Sequence, residues 1–163
     1  MAATARRLAP RYGVEVGKAD LAGLLHDCAK SMRVEDMRKL ITSSGLDVDG
    51  DELASDNVLH APAGCILAER EFGVRDPEIL CAIRRHTLGG ADMTPLEKLI
   101  YVSDFIEPGR TDFPGLSEAR ILAQTDLDAA TRKCASLTAA YLRTLGLQPH
   151  RLTLETLKSL KEV

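Results

Sequence analysis

The sequence predicts an all-α fold, and three features carry that reading. The apolar residues are mainly Leu, Ala, Ile and Val, aromatics amount to 4% and Trp is absent, a composition that suits helix-on-helix packing better than a sheet. Several stretches repeat apolar residues at i, i+3, i+4 and i+7, whereas no segment alternates with period two for long enough to make a strand. With 163 residues and 45% apolar content, the chain lies in the size range of one domain with one continuous core. No internal repeat, low-complexity tract or linker divides residues 1–163.

Taken in order, the elements read as follows. Pro10 lacks an amide hydrogen and disfavours helical backbone before it, so the opening helix is expected to kink or end near Ala9. Leu21, Leu24, Leu25 and Cys28 mark an amphipathic helix from about Glu15 to Ala29, with His26 and Asp27 near its C-terminal end. A short polar helix around Val34 to Thr42 follows, and 43–51 reads as an exposed loop. Pro62 looks like a first-turn proline, opening a helix that runs to Phe72 and stops at Gly73, which places His60 at its entrance. Asp76-Pro77 repeats the cap-then-proline signal and starts a helix through Ile79, Leu80 and Ile83 that delivers His86 before Gly89-Gly90. Thr94-Pro95-Leu96-Glu97 is a capping box leading into Leu96, Leu99, Ile100 and Val102, with Asp104 near the end of that helix. A loop containing Phe113-Pro114-Gly115 precedes a long helix from about Asp126 to Leu145, terminated by Gly146. A final short helix is expected to begin at Thr153.

Charge and cysteine usage narrow the function. The formal net charge is -3, from 21 basic and 24 acidic residues spread along the chain, so no basic field exists to hold a nucleic-acid backbone. Cys28, Cys65, Cys81 and Cys134 contain no CxxC pair, which argues for reduced, mostly buried thiols. The N-terminal segment has no unbroken apolar core, and no later apolar run is long enough to span a bilayer, so a cytoplasmic protein without membrane contact is expected. Neither a GxSxG elbow nor a GxxxxGK[ST] loop is present.

His26-Asp27, His60, His86 and Asp104 each emerge at the end of an otherwise apolar helical stretch. Singly, such residues have plain readings as caps or salt-bridge partners; their order and shared placement make them candidates for one site. Imidazole and short carboxylates without thiolate suit a divalent iron, manganese or magnesium ion held for catalysis better than a closed structural zinc. Adjacent helical positions lie about 100° apart, close enough for the long imidazole and short carboxylate of His26-Asp27 to converge on one ion. Lys30, three residues after Asp27, and Arg110, six after Asp104, are the cations placed to meet an anion there.

These residues fall in recognisable segments. Gly23-Leu-Leu-His-Asp-Cys-Ala-Lys30, Leu59-His-Ala-Pro-Ala-Gly64, Arg85-His-Thr-Leu-Gly89 and Leu99-Ile-Tyr-Val-Ser-Asp-Phe-Ile-Glu-Pro-Gly-Arg110 together resemble the YqeK family of HD-domain proteins, bacterial symmetrical diadenosine tetraphosphate hydrolases. The similarity extends in order through Phe113-Pro114-Gly115 to Gln148-Pro149-His150. It implies one HD-type helical bundle over 1–163, with iron held by His26, Asp27 and Asp104, and with His60 and His86 binding a second metal or the substrate's phosphates. It also implies that Asp27, Cys28, Ala29 and Lys30, together with His60, His86, Asp104, Arg110 and the stretch Gln148, Pro149 and His150, surround the nucleotide. Asp27, Lys30 and Arg110 would carry the chemistry.

One departure stands out. The family's first metal-binding histidine lies on the opening helix, and alignment of 2–9 with that helix puts it upstream of Met1, so the start of that helix is expected to be missing from this chain. The implied reaction is metal-assisted, in-line attack of water on phosphorus, splitting diadenosine tetraphosphate into two ADP. Two alternatives share the same residues: an HD-type phosphohydrolase acting on a mononucleotide, and a nucleotide-binding module left inactive by the missing ligand. A homodimer is compatible with each.

Overall fold

The computed structural model describes residues 1–160, so positions 161–163 of the expected domain lie outside it. Among the described residues the chain forms ten α-helices and one 3₁₀ turn, with no strand, an all-α single-domain bundle. The opening helix α1 spans Ala2–Leu8 and gives way at Ala9–Tyr12 to the 3₁₀ turn that contains Pro10, where the missing amide hydrogen of proline was expected to end it.

Helix α2 spans Val16–Leu25, four residues shorter at its end than the periodicity suggested. From there the backbone switches to tight turns, with the amides of Cys28, Lys30 and Met32 bonded to the carbonyls of Leu25, Asp27 and Ala29. The leucine stripe also reads differently in three dimensions. Leu21 and Leu24 are exposed, Leu24 at 66%, while α2 buries Ala19, Ala22, Gly23 and Leu25. Close approach of α1 explains this: a Cβ built on Gly23 would stand 2.8 Å from the Ala2 Cα, so a small-residue face packs where large side chains would not fit.

Helices α3 (Val34–Ser44) and α5 (His60–Arg70) enclose an apolar cluster of Met37, Ile41, Leu59, Ala63 and Ile66. Between them lies α4, Gly50–Ala54, whose first two residues are the last two of the stretch 43–51 that reads as an exposed loop. Asp49 caps it by accepting from the Glu52 amide at 2.8 Å. Glu52 is 1% exposed and receives both guanidinium nitrogens of Arg84 at 2.5 Å. That pair ties α4 to α6 (Pro77–Arg85), whose proline start follows the Asp76 cap as expected.

The capping box of Thr94 and Glu97 opens α7, Pro95–Phe105. It is the central helix, packed against α1, α2, α6 and α9 (Leu127–Thr144), with Leu99, Ile100 and Val102 fully buried. A seven-residue helix, α8 (Leu116–Leu122), stands where only a loop was expected, and its Leu116 and Ala119 are buried. Helix α10 spans Arg151–Ser159 and is capped by the His150 ring, not by Thr153. Thr153 and Thr156 are instead buried against the turn after α6: Thr153 donates to the Leu88 carbonyl, and the Thr156 hydroxyl bonds both the amide and the carbonyl of Gly90. The four cysteines are free, as expected, but only Cys134 is buried; Cys28 and Cys65 are half-buried and Cys81 is exposed.

Removing Arg84 would leave the Glu52 carboxylate buried without its partner, which typically costs about 3 kcal/mol or more. Arg84→Met is therefore expected to lower the unfolding free energy by about that amount in urea titration, and the Glu52→Gln, Arg84→Met double variant to recover most of the loss. A single variant as stable as the parent would show the pair to be dispensable.

Candidate functional site

Asp27 sits in the turn that follows α2, and the ends of α2, α5, α6 and α7 converge on it. His26 directly follows the end of α2, His60 opens α5, His86 directly follows α6, and Asp104 lies one residue before the end of α7. The His26 Nδ1 meets the Gly23 carbonyl at 2.9 Å and the His86 Nδ1 meets the Ile83 carbonyl at 2.7 Å. A carbonyl only accepts, so each Nδ1 carries the hydrogen and each Nε2 faces the centre.

Distances at the centre are short throughout. The His26 Nε2 lies 3.3 Å from the Asp27 Oδ2 and 3.6 Å from the Asp104 Oδ1. The Asp27 Oδ1 lies 3.3 Å from the His60 Nε2 and 3.6 Å from the His86 Nε2, and these two nitrogens are 3.2 Å apart. His26, Asp27 and His86 offer three donor atoms all within 4.8 Å of one another. The Asp27 Oδ1 is buried without a well-aligned hydrogen bond. An orphaned carboxylate oxygen facing imidazole nitrogens whose far sides are held by backbone carbonyls fits a divalent cation.

Electrostatics follow from this crowding. Burial would lower the His26 pKa, but the Asp104 and Asp27 carboxylates outweigh it and raise the pKa to about 9. Burial would raise that of Asp27, yet His26, His86 and Lys30 hold it well below the usual carboxylate range. Asp104 is lowered in the same way, by His26 first, against its own burial. At His60, burial and the neighbouring His86 act together and push the pKa down to about 4.

The centre opens into a cavity of about 850 Å³, within the roughly 300–1,000 Å³ of small-molecule sites. Lys30, His60, His86, Asp104 and Arg110, all expected from the sequence, line it. The Lys30 Nζ is 2.6 Å from the Asp27 Oδ2, and Arg110 donates to the Asp104 carbonyl at 3.1 Å. Other expected residues lie elsewhere. Ala29 is buried in the second apolar cluster and the Cys28 thiol faces the Gly64 carbonyl. Gln148, Pro149 and His150 are not among the lining residues; the His150 Nε2 lies 3.1 Å from the Asp49 Oδ1. Sequence reasoning passed over Thr87, whose buried hydroxyl has no partner in a residue that lines the cavity. Its position directly after His86 was the available signal.

Comparison with known proteins identifies the family. The HD domain model matches residues 1–109. The symmetrical bis(5'-nucleosyl)-tetraphosphatase of Bacillus subtilis (strain 168) is 44% identical over 141 residues, covering 85% of this chain and 74% of that protein. The enzyme of the same name from Staphylococcus aureus (strain NCTC 8325 / PS 47) is 35% identical over 161 residues, 96% of this chain and 81% of its own. Among solved structures, a predicted HD superfamily hydrolase involved in NAD metabolism from Clostridium acetobutylicum superposes with a TM-score of 0.93 at 38% identity, over 98% of this chain and 84% of that one. The chain belongs to the HD-domain family, in the group of symmetrical bis(5'-nucleosyl)-tetraphosphatases.

Proposed function

We propose that this protein hydrolyses diadenosine tetraphosphate symmetrically to two ADP at the centre built on Asp27. The observation that supports it best is the placement of that carboxylate: Oδ1 faces His60 and His86, Oδ2 faces His26 and Lys30, and the group lies beside a cavity that also holds Arg110. The relatives carrying this activity by name match most of the chain.

In this reading His26, Asp27 and Asp104 hold iron, with manganese or another divalent ion as a substitute, and His60 and His86 take a second ion or the phosphates. When bound, the ion activates water and withdraws charge from a phosphoryl oxygen. The chain's own residues do the rest. Lys30 and Arg110 neutralise charge that builds on the phosphoryl oxygens during in-line attack. The Gly23 carbonyl holds the His26 ring through Nδ1 and leaves Nε2 facing the Asp27 and Asp104 carboxylates. The departing ADP has a second pKa near about 6, so its terminal phosphate leaves without a strong general acid.

Anaerobically purified protein incubated with diadenosine tetraphosphate is expected to release ADP alone, and Asp27→Ala, stripped of metal, to release none. AMP with ATP, or inorganic phosphate, would redirect the assignment. Lys30→Ala and Arg110→Ala are expected to retain metal by elemental analysis while kcat falls by roughly ten- to a thousandfold; either variant turning over at the parent rate would remove that cation from the reaction. Metal binding must displace the proton that the metal-free protein holds on His26 with a pKa of about 9. Manganese affinity by calorimetry should therefore rise with pH by up to about tenfold per unit between pH 6.5 and 8.5, and a flat profile would show that His26 binds no metal.

A further inference from the structure

The chain has only six aromatic residues, three Phe and three Tyr, and four of them line one cavity. Tyr101, Phe105, Phe113 and Tyr141 share it with Lys30, His60 and His86. The other two have plain structural positions: the Tyr12 hydroxyl donates to the Ala123 carbonyl, and Phe72 lies exposed just past α5. Tyr101 is buried and forms part of the core. The remaining three are open to different degrees. Phe105 and Phe113 are half-buried and meet edge to face, with centroids 5.8 Å apart at 84°. Tyr141 is 63% exposed, on the same face of α9 as Leu137, Thr138 and Thr144, which also line the cavity.

Arg110 joins this aromatic wall to the metal centre. Its guanidinium lies 5.5 Å from the Phe105 ring centroid and donates to the Asp104 carbonyl. One continuous cavity therefore offers cations and candidate metal ligands together with three accessible aromatic rings. Phosphates answer the first set and a flat heteroaromatic ring answers the second. The HD domain match ends at residue 109, so Phe113 and Tyr141 are supplied by the part of the chain beyond it.

We propose that Phe113 and Tyr141 form a stacking site for the purine base of a nucleotide whose phosphates lie at the Asp27 centre. The proposal rests on the nucleotide reading of the site given above and adds the residues that bind the base. Stacking energy is gained in the ground state and the transition state alike, so its loss acts on binding and KM, with little change in kcat.

The test is calorimetry on the manganese-loaded protein with two ligands, ADP and inorganic pyrophosphate, the second having no base. Phe113→Ala and Tyr141→Ala are each expected to weaken ADP binding by about 5- to 100-fold and to leave pyrophosphate within about twofold, while Tyr141→Phe keeps the parent's ADP affinity. Equal weakening of both ligands, unchanged ADP affinity, or a parent that binds ADP no tighter than pyrophosphate would overturn the proposal. Tyr141 is exposed, so its alanine variant carries the test if Phe113→Ala fails to fold. Turnover of diadenosine tetraphosphate separates the two readings. A parent that cleaves it, with variants that keep the parent's ratio of ADP to pyrophosphate affinity, retains the proposed function and loses the stacking site. Variants that lose that ratio in a parent without turnover retain the stacking site and lose the proposed function.

Discussion

Asp27 is where three imidazoles and one ammonium group meet a single carboxylate. His26 and Lys30 approach one oxygen, and His60 and His86 approach the other. A buried carboxylate with an unsatisfied oxygen is costly unless a cation completes it. The three imidazoles all face it through Nε2, and the Nδ1 atoms of His26 and His86 are engaged by carbonyls one turn back along their own chain segments. The same constraint explains why α2 stops at Leu25: tight turns carry Asp27 between the ends of α5 and α6.

Much of the framework beneath that centre is small-residue packing. Ala19, Ala22 and Gly23 let α1 lie close on α2, and Ala119, Ala130 and Ala135 do similar work in the main cluster. Close backbone approach gives many weak dispersion contacts and a stiff arrangement of helix axes. A second, separate cluster under α3 and α5 supports His60, and the buried Glu52–Arg84 pair fixes α4 to the helix that delivers His86. His86 thus follows a helix that is held to α4 by a charge pair and that packs directly against α5, the helix opened by His60.

Helix punctuation was the most legible part of the sequence. Pro10, Asp76-Pro77, the Thr94–Glu97 box and the Asp126 cap each act through local backbone chemistry, and the structure places each where that chemistry requires. Side-chain placement depends on partners distant in sequence and was harder to read. The Leu21–Leu24 stripe looked like a core face, yet the partner helix selects the alanine and glycine face instead. Glu52, just past the segment 43–51 read as an exposed loop, is buried, and the partner that makes its carboxylate tolerable, Arg84, lies 32 residues further on. His150 was carried toward the nucleotide by resemblance, and its ring is instead engaged with Asp49 and the α10 amide of Leu152. The histidines and acids of the centre were legible because each stands out at the end of an apolar helix. The aromatic wall was not, because nothing in the sequence says that Phe113 and Tyr141 share a cavity with His86.

The Thr153 and Thr156 hydroxyls close the turn that follows His86, and they reach it from α10. In biosynthetic order this means that the turn is made some 66 residues before its clamp. A ribosome releases the HD-matching portion long before Thr156 clears the exit tunnel, so the growing chain carries His26, Asp27, His60, His86 and Asp104 before the Thr156 hydroxyl can reach Gly90. Assembly of the turn therefore waits for α10. A nascent chain offers metal a looser, more solvated set of donors than the finished protein does.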